Sequence, residues 1–396
     1  MKRLEQAMQR HVTARNAPGI VTGVVQRGQT DVHAVGALAF DGKPMRRDAI
    51  FRIASITKML VAATALSLVE DVTIHLDDPV DTWLPELANR RVLKRLDGPI
   101  EPEKRIEETV AARRRITVRD LLTFKLGFGL IFGASGLPIQ AAIEARDLHL
   151  GPPRPRKTPP PDEWMRRLGE LPLMFQPGEQ WLYSAGSDIL GVLIARAAGK
   201  PLEAVMSERI FEPLGMKDTA FHCPASKADR FATGYLGMDA DQPITLADSA
   251  VDGEWNAEPA FPSGAAGLVS TVDDLLAFGR MLLAEGAHGK HRVLARTTVR
   301  AMATDQLDGT ENAERHFVKG WTQSYGWGFG CAVVTKRSAP HVSPGAFGWD
   351  GGWGTSLRID PAEQLVGVLL TQRAGPPDLS PIYKDFWPLV YGGLDG

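Results

Sequence analysis

The stretch Phe51-Arg52-Ile53-Ala54-Ser55-Ile56-Thr57-Lys58-Met59 opens a run that stays largely apolar from Met59 to Val69. A run that is apolar nearly all round reads as a buried helix rather than a surface one. Ser55 stands where that helix begins, and Lys58 follows three residues later. At 100° per residue, positions i and i+3 share a face one turn apart, so a Ser hydroxyl and a Lys amine can meet. In isolation Ser55 would be an N-cap and Lys58 a surface residue. Two points weigh against that. A cation in the first turn opposes the helix dipole. A helix apolar on most faces also leaves Lys58 desolvated. Desolvation lowers a lysine pKa from its reference of about 10.4 and can make a base of it.

Around this segment lie 396 residues, 44% hydrophobic and 23% charged. At roughly 150 residues per domain, that is two or three domains, or one core with a large insertion. The formal charge is −2, from 45 basic and 47 acidic residues. Such balance gives no electrostatic reason to expect nucleic acid or an anionic membrane as partner. Cys223 and Cys331 make neither a disulfide framework nor a zinc site; they read as two buried thiols, with a single disulfide as the alternative. No segment reaches the roughly 18 apolar residues of a membrane span. Leu4, Met8 and His11 share one face of an amphipathic N-terminal helix, with no signal-type apolar region after the basic start. The expected location is therefore cytoplasmic.

Two strands follow, Ile20 to Gln26 and Asp31 to Ala37, with Arg27-Gly28-Gln29-Thr30 as the turn. Residues 100–115 are dense in Glu and Arg and read as a solvated helix face or loop. The six prolines of 151–161 preclude helix and favour an extended polyproline segment, a surface excursion within a helical region. Helices are expected over 163–170, 187–213 (with a break at Gly199-Lys200-Pro201) and 271–285, the last capped by Thr271. Strand patterns occupy Gly326 to Thr335, Thr355 to Ile359 and Leu365 to Leu370. Strands at both ends with a helical middle imply one sheet built from the two termini.

A second segment, Phe175-Gln176-Pro177-Gly178-Glu179-Gln180-Trp181-Leu182-Tyr183-Ser184-Ala185-Gly186-Ser187-Asp188-Ile189-Leu190-Gly191, places a tyrosine just before a helix. With it the chain resembles the serine β-lactamase and penicillin-binding-protein superfamily. It is most similar to the class C β-lactamase-like branch that includes the family VIII carboxylesterases. The motifs are SITK at 55–58, ITVRDLLTFKLGFG at 116–129, FQPGEQWLYSAGSDILG at 175–191, FEPLGMKDTAF at 211–221, PSGAAGLVSTVDDLLAF at 262–278 and YGWGFG at 325–330. Ser-x-x-Lys alone is a weak signal; the ordered set, over roughly residues 1–395, is a strong one.

The resemblance implies that Ser55 is the acylated nucleophile, Lys58 its partner, and Tyr183 the residue that shares the proton transfers. The residue types suit those roles. A Ser hydroxyl needs an adjacent base, and a neutral lysine or a tyrosinate can serve once its pKa moves toward neutrality. Which of the two takes the proton stays open at this level, since a coupled pair need not have one answer. The family's third motif matches Trp349-Asp350-Gly351. The resemblance implies an oxyanion hole from the backbone N–H groups of Ser55 and about Gly352, which would stabilise charge developed in the transition state.

Three departures bear on substrate. Where β-lactamases carry a cation in the third motif, this chain has Trp349, and Asp350 adds a negative charge that would repel a drug carboxylate. The second motif usually ends in Asn; here it ends in Ala185, which cannot orient a substrate amide. The motif near residue 121 carries Phe124 and Leu126, which would make one wall of the site apolar and suited to hydrophobic acyl groups. Neutral small-molecule esters are therefore the expected substrates and β-lactams poor ones.

No serine has glycine at both −2 and +2, so the α/β-hydrolase elbow is absent. No Walker A pattern occurs. His288 and His291 read as solvent-exposed loop residues, and the chemistry needs no metal or cofactor. Trp181, Trp327 and Trp353 read either as cleft lining or as core. The expected fold is α+β: an antiparallel sheet flanked by helices (1–70 and 216–396) beside a mainly helical domain (71–215), with the site between them. The expected function is a serine hydrolase cleaving carboxylic esters through an acyl-enzyme on Ser55. The alternatives are an acyltransferase on the same residues, a β-lactamase or short-amide hydrolase, and, outside enzymes, an inactive ligand-binding relative.

Overall fold

The computed structural model describes residues 2–97, 108–133, 136–239, 242–309 and 317–394. Helix α1 (Lys2–Thr13) leads into the hairpin β1 (Gly19–Gln26) and β2 (Gln29–Gly36), then β3 (Phe51–Arg52) and the buried helix α2 (Thr57–Glu70). A small antiparallel pair follows, β4 (Arg91–Leu93) and β5 (Thr109–Ala111). Helices α3 (Val118–Leu122), α4 (Pro138–Glu144), α5 (Pro161–Gly169), α6 (Ala185–Ala198), α7 (Leu202–Met206) and α8 (Glu212–Leu214) fill the middle of the chain. The chain returns through β6 (Gly234–Leu236), β7 (Thr245–Asp248), β8 (Val269–Ser270), α9 (Val272–Leu283), the short hairpin β9 (Ala287–His288) and β10 (His291–Arg292), and α10 (Arg296–Met302). It ends in β11 (Tyr325–Trp327), β12 (Ala332–Val334), β13 (Phe347–Gly351), β14 (Thr355–Asp360), β15 (Leu365–Thr371), β16 (Arg373–Ala374) and a C-terminal helix, Pro381–Tyr391.

The main sheet is antiparallel with strand order β11-β12-β13-β14-β15-β1-β2, so the N-terminal hairpin docks on the last long strand. β15 is buried along its whole length and reads Leu-Val-Gly-Val-Leu-Leu-Thr. Such a strand needs apolar cover on both faces. One face meets α9 and the main core; the other meets α1 and the C-terminal helix through Leu4, Met8, Leu365, Leu369, Phe386 and Trp387. The cap expected on α9 is present, with Thr271 Oγ1 accepting from the Asp274 N–H at 3.3 Å. One continuous apolar core runs from the sheet through α2 into α3, α5, α6 and α7.

Several local expectations are corrected. The hairpin turn is two residues, Arg27-Gly28, both with positive φ, where the sequence suggested four. That is the turn whose twist matches the flanking strands. The Pro-rich stretch is not extended throughout, because the Arg154 carbonyl accepts from Lys157 N–H, Thr158 N–H and Thr158 Oγ1, closing a turn. Of the charged stretch 100–115, residues 100–107 lie outside the described residues, and Thr109–Ala111 forms a strand. His288 and His291 pair across a short hairpin instead of lying in a loop. The pattern Gly326 to Thr335 is a hairpin of β11 and β12, not one strand. Gly330 makes that hairpin: its φ is +75, and a Cβ there would lie 2.5 Å from Ala62 Cβ and 2.9 Å from the Lys58 carbonyl oxygen.

Gly330→Ala combines that close approach with a left-handed backbone, so it is expected to destabilise the fold by about 2–4 kcal/mol. Gly28→Ala, also left-handed but with open space around it, should cost only about 1–2 kcal/mol. Denaturation midpoints of the two variants check this; equal losses would contradict the close-approach account.

Candidate active site

Between Phe51 and Leu68 every residue is buried except Ser55, which is half-buried. Ser55 sits in a 3-10 turn, Ala54–Ile56, directly ahead of α2. Its own N–H belongs to a first turn, where amides have no intrahelical acceptor. Lys58 is 1% exposed. Its Nζ donates to Ser55 Oγ at 2.9 Å and to the Ala265 carbonyl at 2.7 Å. The Tyr183 hydroxyl donates to Ser55 Oγ at 2.8 Å, and Trp349 Nε1 donates to the Tyr183 oxygen at 2.8 Å. The Lys58 amine also stands 4.4 Å from the centroid of the Tyr183 ring. Ser55 and Lys58, one turn apart, thus form one hydrogen-bonded chain with Tyr183 and Trp349, which are distant from them in sequence.

Electrostatics separates the two candidate bases. Burial pulls the Lys58 amine down to about 7, opposed by the charge of Asp188. Burial pushes the Tyr183 phenol far above its usual value, against hydrogen bonds with Ser55 and Trp349 that act the other way. The apolar setting is visible around the ring: Phe124, Phe132, Trp181, Phe317, Trp327 and Trp349 all have ring centroids within 6.5 Å of it. A phenolate there would lack water, whereas a neutral amine needs none.

The third-motif strand runs alongside the Ser55 turn. A Cβ at Gly351 would lie 2.3 Å from the Ile53 carbonyl oxygen, so only glycine lets β13 approach this closely. The Gly354 N–H donates to the Gly351 carbonyl at 2.9 Å. In a trans peptide the N–H points opposite to its C=O, so the Gly352 N–H is turned away from that bond. A Cβ at Gly352 would meet nothing within 4 Å, so this residue borders open space. Beyond Gly348 the outer edge of β13 is free of β12. Against β11 to β14 lies a cavity of about 200 Å³, lined by Trp321, Tyr325, Val334, Trp349, Asp350 and neighbours.

Aligned with known proteins, the chain matches the family described as Beta-lactamase over residues 4–385. The chain belongs to the beta-lactamase family. It is 38% identical over 371 residues to Protein Rv1367c of Mycobacterium tuberculosis, covering 91% of this chain and 87% of that protein. It is 33% identical over 399 residues to Esterase EstB of Burkholderia gladioli, covering 94% of this chain and 90% of that protein. Among solved structures, EstCE1, described as a hydrolase with promiscuous acyltransferase activity, aligns with a TM-score of 0.76 at 24% identity over 100% of this chain and 98% of its own, a likeness of fold.

Within this beta-lactamase-family fold, some site expectations are revised. Phe124 is 0% exposed and packs edge-on against Tyr183 from beneath, and Leu126 lies in the main core, so neither lines the cleft wall. The apolar rings nearer the surface beside Tyr183 are instead Phe132, 44% exposed, and Phe317, with ring centroids 5.2 Å apart. Strand alternation turns Asp350 to the opposite face from Trp349, where Ser356 Oγ donates to it at 2.5 Å. Burial pushes the Asp350 carboxyl up. It is therefore no free charge over Ser55, although its field adds to the rise at Tyr183. Ala185 is buried. Trp181 and Trp327 are core residues, and Trp353 packs away from Ser55, beside Trp255.

Asp188 is the residue that sequence reasoning passed over. It lies in the first turn of α6, 6% exposed, and its Oδ1 accepts from Ser263 Oγ at 2.7 Å and the Ala265 N–H at 3.0 Å. It therefore holds the turn whose Ala265 carbonyl anchors Lys58. The signal was present in both quoted motifs, as an acid five residues after Tyr183 and the Ser-Gly-Ala of 263–265, but nothing in one dimension joins them.

The negative charge of Asp188 raises the Lys58 pKa, and a lysine base works only when neutral, so activity should climb with pH through about 7. Asp188→Asn keeps an oxygen for Ser263 and Ala265 but removes the charge. Its kcat/KM–pH profile should have its acid limb displaced to lower pH, with a loss at the plateau of about tenfold or less. A limb displaced upward would contradict this electrostatic reading.

Proposed function

We propose that the protein is a serine hydrolase that cleaves neutral carboxylic esters through an acyl-enzyme on Ser55, on the family VIII side of its family. One observation carries the reading: Ser55 Oγ is held at 2.9 Å from Lys58 Nζ and 2.8 Å from the Tyr183 hydroxyl, at the only accessible point of a buried run. When Lys58 is neutral, its lone pair can take the Ser55 proton across that 2.9 Å contact while Nζ keeps a hydrogen bond to Ala265. Oγ then attacks the ester carbonyl, and the N–H groups of Ser55 and Gly352 meet the oxyanion. The alkoxide leaving group takes the proton from Lys58, with Tyr183 positioned to relay it. Water then attacks the acyl group by the same route in reverse order of protonation.

The substrate side of the proposal rests on charge and shape. Trp349 donates to Tyr183 where a β-lactamase would present a cation, and Phe132 and Phe317 place apolar rings beside Tyr183. Both suit an uncharged acyl group better than an anionic drug. The likeness to an esterase at 33% identity agrees with this. Acyl transfer to an alcohol would use the same acyl-enzyme and differ only in what attacks it. No helix among the described residues is long and apolar enough to cross a membrane. A cytoplasmic location remains part of the proposal.

Ser55→Ala should lower hydrolysis of a short-chain p-nitrophenyl ester by at least about 10³-fold. Wild type should turn over a chromogenic cephalosporin far more slowly than the ester. Faster cephalosporin turnover would refute the substrate assignment, and an unimpaired Ser55→Ala would refute the nucleophile.

A further inference from the structure

A second buried cation stands three residues before the nucleophile. Arg52, on β3, is 3% exposed, and Asp248, at the end of β7, is 7% exposed. Arg52 Nε donates to Asp248 Oδ2 at 2.7 Å, and Nη2 donates to the same oxygen. Nη1 donates to the Ala232 carbonyl at 2.6 Å, and Nη2 also reaches the Ser249 carbonyl at 3.2 Å. Three rings surround the guanidinium: its carbon is 4.1 Å from the Phe231 centroid and 5.4 Å from those of Trp255 and Trp353.

The third of these rings belongs to the residue after Gly352. The Trp353 ring is held edge-on by Trp255, with centroids 5.6 Å apart. It also lies flush on the Gly234 backbone, where a Cβ would come within 2.5 Å of it. On the other side, the Arg52 backbone pairs with Val269, and the Ile53 N–H donates to the Leu268 carbonyl at 3.0 Å, fixing the chain that enters the Ser55 turn. One guanidinium therefore touches both arms that carry the two oxyanion-hole amides. Its own backbone leads to the Ser55 N–H, and its π-face contact fixes the residue next to the Gly352 N–H.

We propose that Arg52, anchored by Asp248 and stacked on Trp353, is a positioning residue that sets the separation of the two oxyanion-hole amides. The inference rests on the acyl-enzyme reading of Ser55. A planar guanidinium is suited to this task because it satisfies a carboxylate in its plane and aromatic rings on its face at once, and it never loses its charge. A lysine at position 52 would keep the charge and lose the geometry. Amides displaced by a few tenths of an ångström still bind the ground-state ester but hold the developing oxyanion less well.

Trp353→Ala and Trp353→Phe test the clamp without removing the buried charge, and Arg52→Lys is measured beside them. The readouts are kcat and KM for p-nitrophenyl acetate, the pH profile, and inhibition by phenylboronic acid, which forms a tetrahedral, negatively charged adduct on the serine. Trp353→Ala should lower kcat by about 10–100-fold, less than the roughly 10²–10³-fold loss that removing an oxyanion donor outright would cause. KM should stay within about threefold, phenylboronic acid inhibition should weaken in step with kcat, and the acid limb should stay in place. Trp353→Phe should recover most of kcat because a ring remains over the guanidinium. Arg52→Lys should resemble Trp353→Ala if it folds. A Trp353→Ala kcat within about twofold of wild type, a loss confined to KM, or a Phe variant no better than Ala would each overturn the proposal. Ester hydrolysis that survives Ser55→Ala in the same assay would overturn the acyl-enzyme reading and this inference with it.

Discussion

The amine of Lys58, sealed between Ser55, the Ala265 carbonyl and the face of Tyr183, is the constraint around which the rest is arranged. A lysine buried this deeply in a helix that is largely Met, Leu, Val and Ala stabilises nothing by being there. Taking an ammonium out of water costs several kcal/mol. The fold meets that cost by letting the group approach neutrality, which is also what a base requires. The surroundings follow from this. The carbonyl of Ala265 accepts from the amine whether it is charged or neutral, and the turn bearing it is tied to Asp188.

The two buried cationic side chains near Ser55 show opposite solutions to one problem. Arg52 cannot deprotonate, so it is given a carboxylate in direct contact, two carbonyl acceptors and three surrounding rings. In the proposed role Lys58 must deprotonate; its amine bonds neutral oxygens, and the acid, Asp188, acts on it through the field. A direct carboxylate contact at Lys58 would hold the proton on and abolish the base. Tyr183 completes the division of labour. Its ring supplies the low-dielectric wall that keeps Lys58 near neutrality, and its hydroxyl remains a donor to Ser55 because the same wall disfavours phenolate.

Much of this was legible in the sequence, and the limits have physical causes. The buried helix and its Ser55–Lys58 register follow from local periodicity, and so does the assembly of one sheet from the two ends of the chain. Tyr183 was reached through the ordered motifs. Phe124 was misplaced because its motif position says which segment is near the site but not which way the side chain turns. With φ at +59 its ring points under Tyr183. Asp350 was read as a cleft charge because alternation along β13 is invisible until the strand's start is known. Asp188 and Arg52 were missed for a different reason. Asp188 acts through Ser263, 75 residues away, and Arg52 through Asp248, 196 residues away, and no local pattern encodes such contacts.

The measurement that most directly tests this account is an NMR titration of Lys58 itself, using lysine labelled at the ε-carbon and Lys58→Arg to assign the resonance. The account predicts a midpoint near 7, with Tyr183 remaining protonated over the same range. A Lys58 midpoint above about 9, close to the ordinary value for a solvated amine, would contradict it and return the role of base to Tyr183.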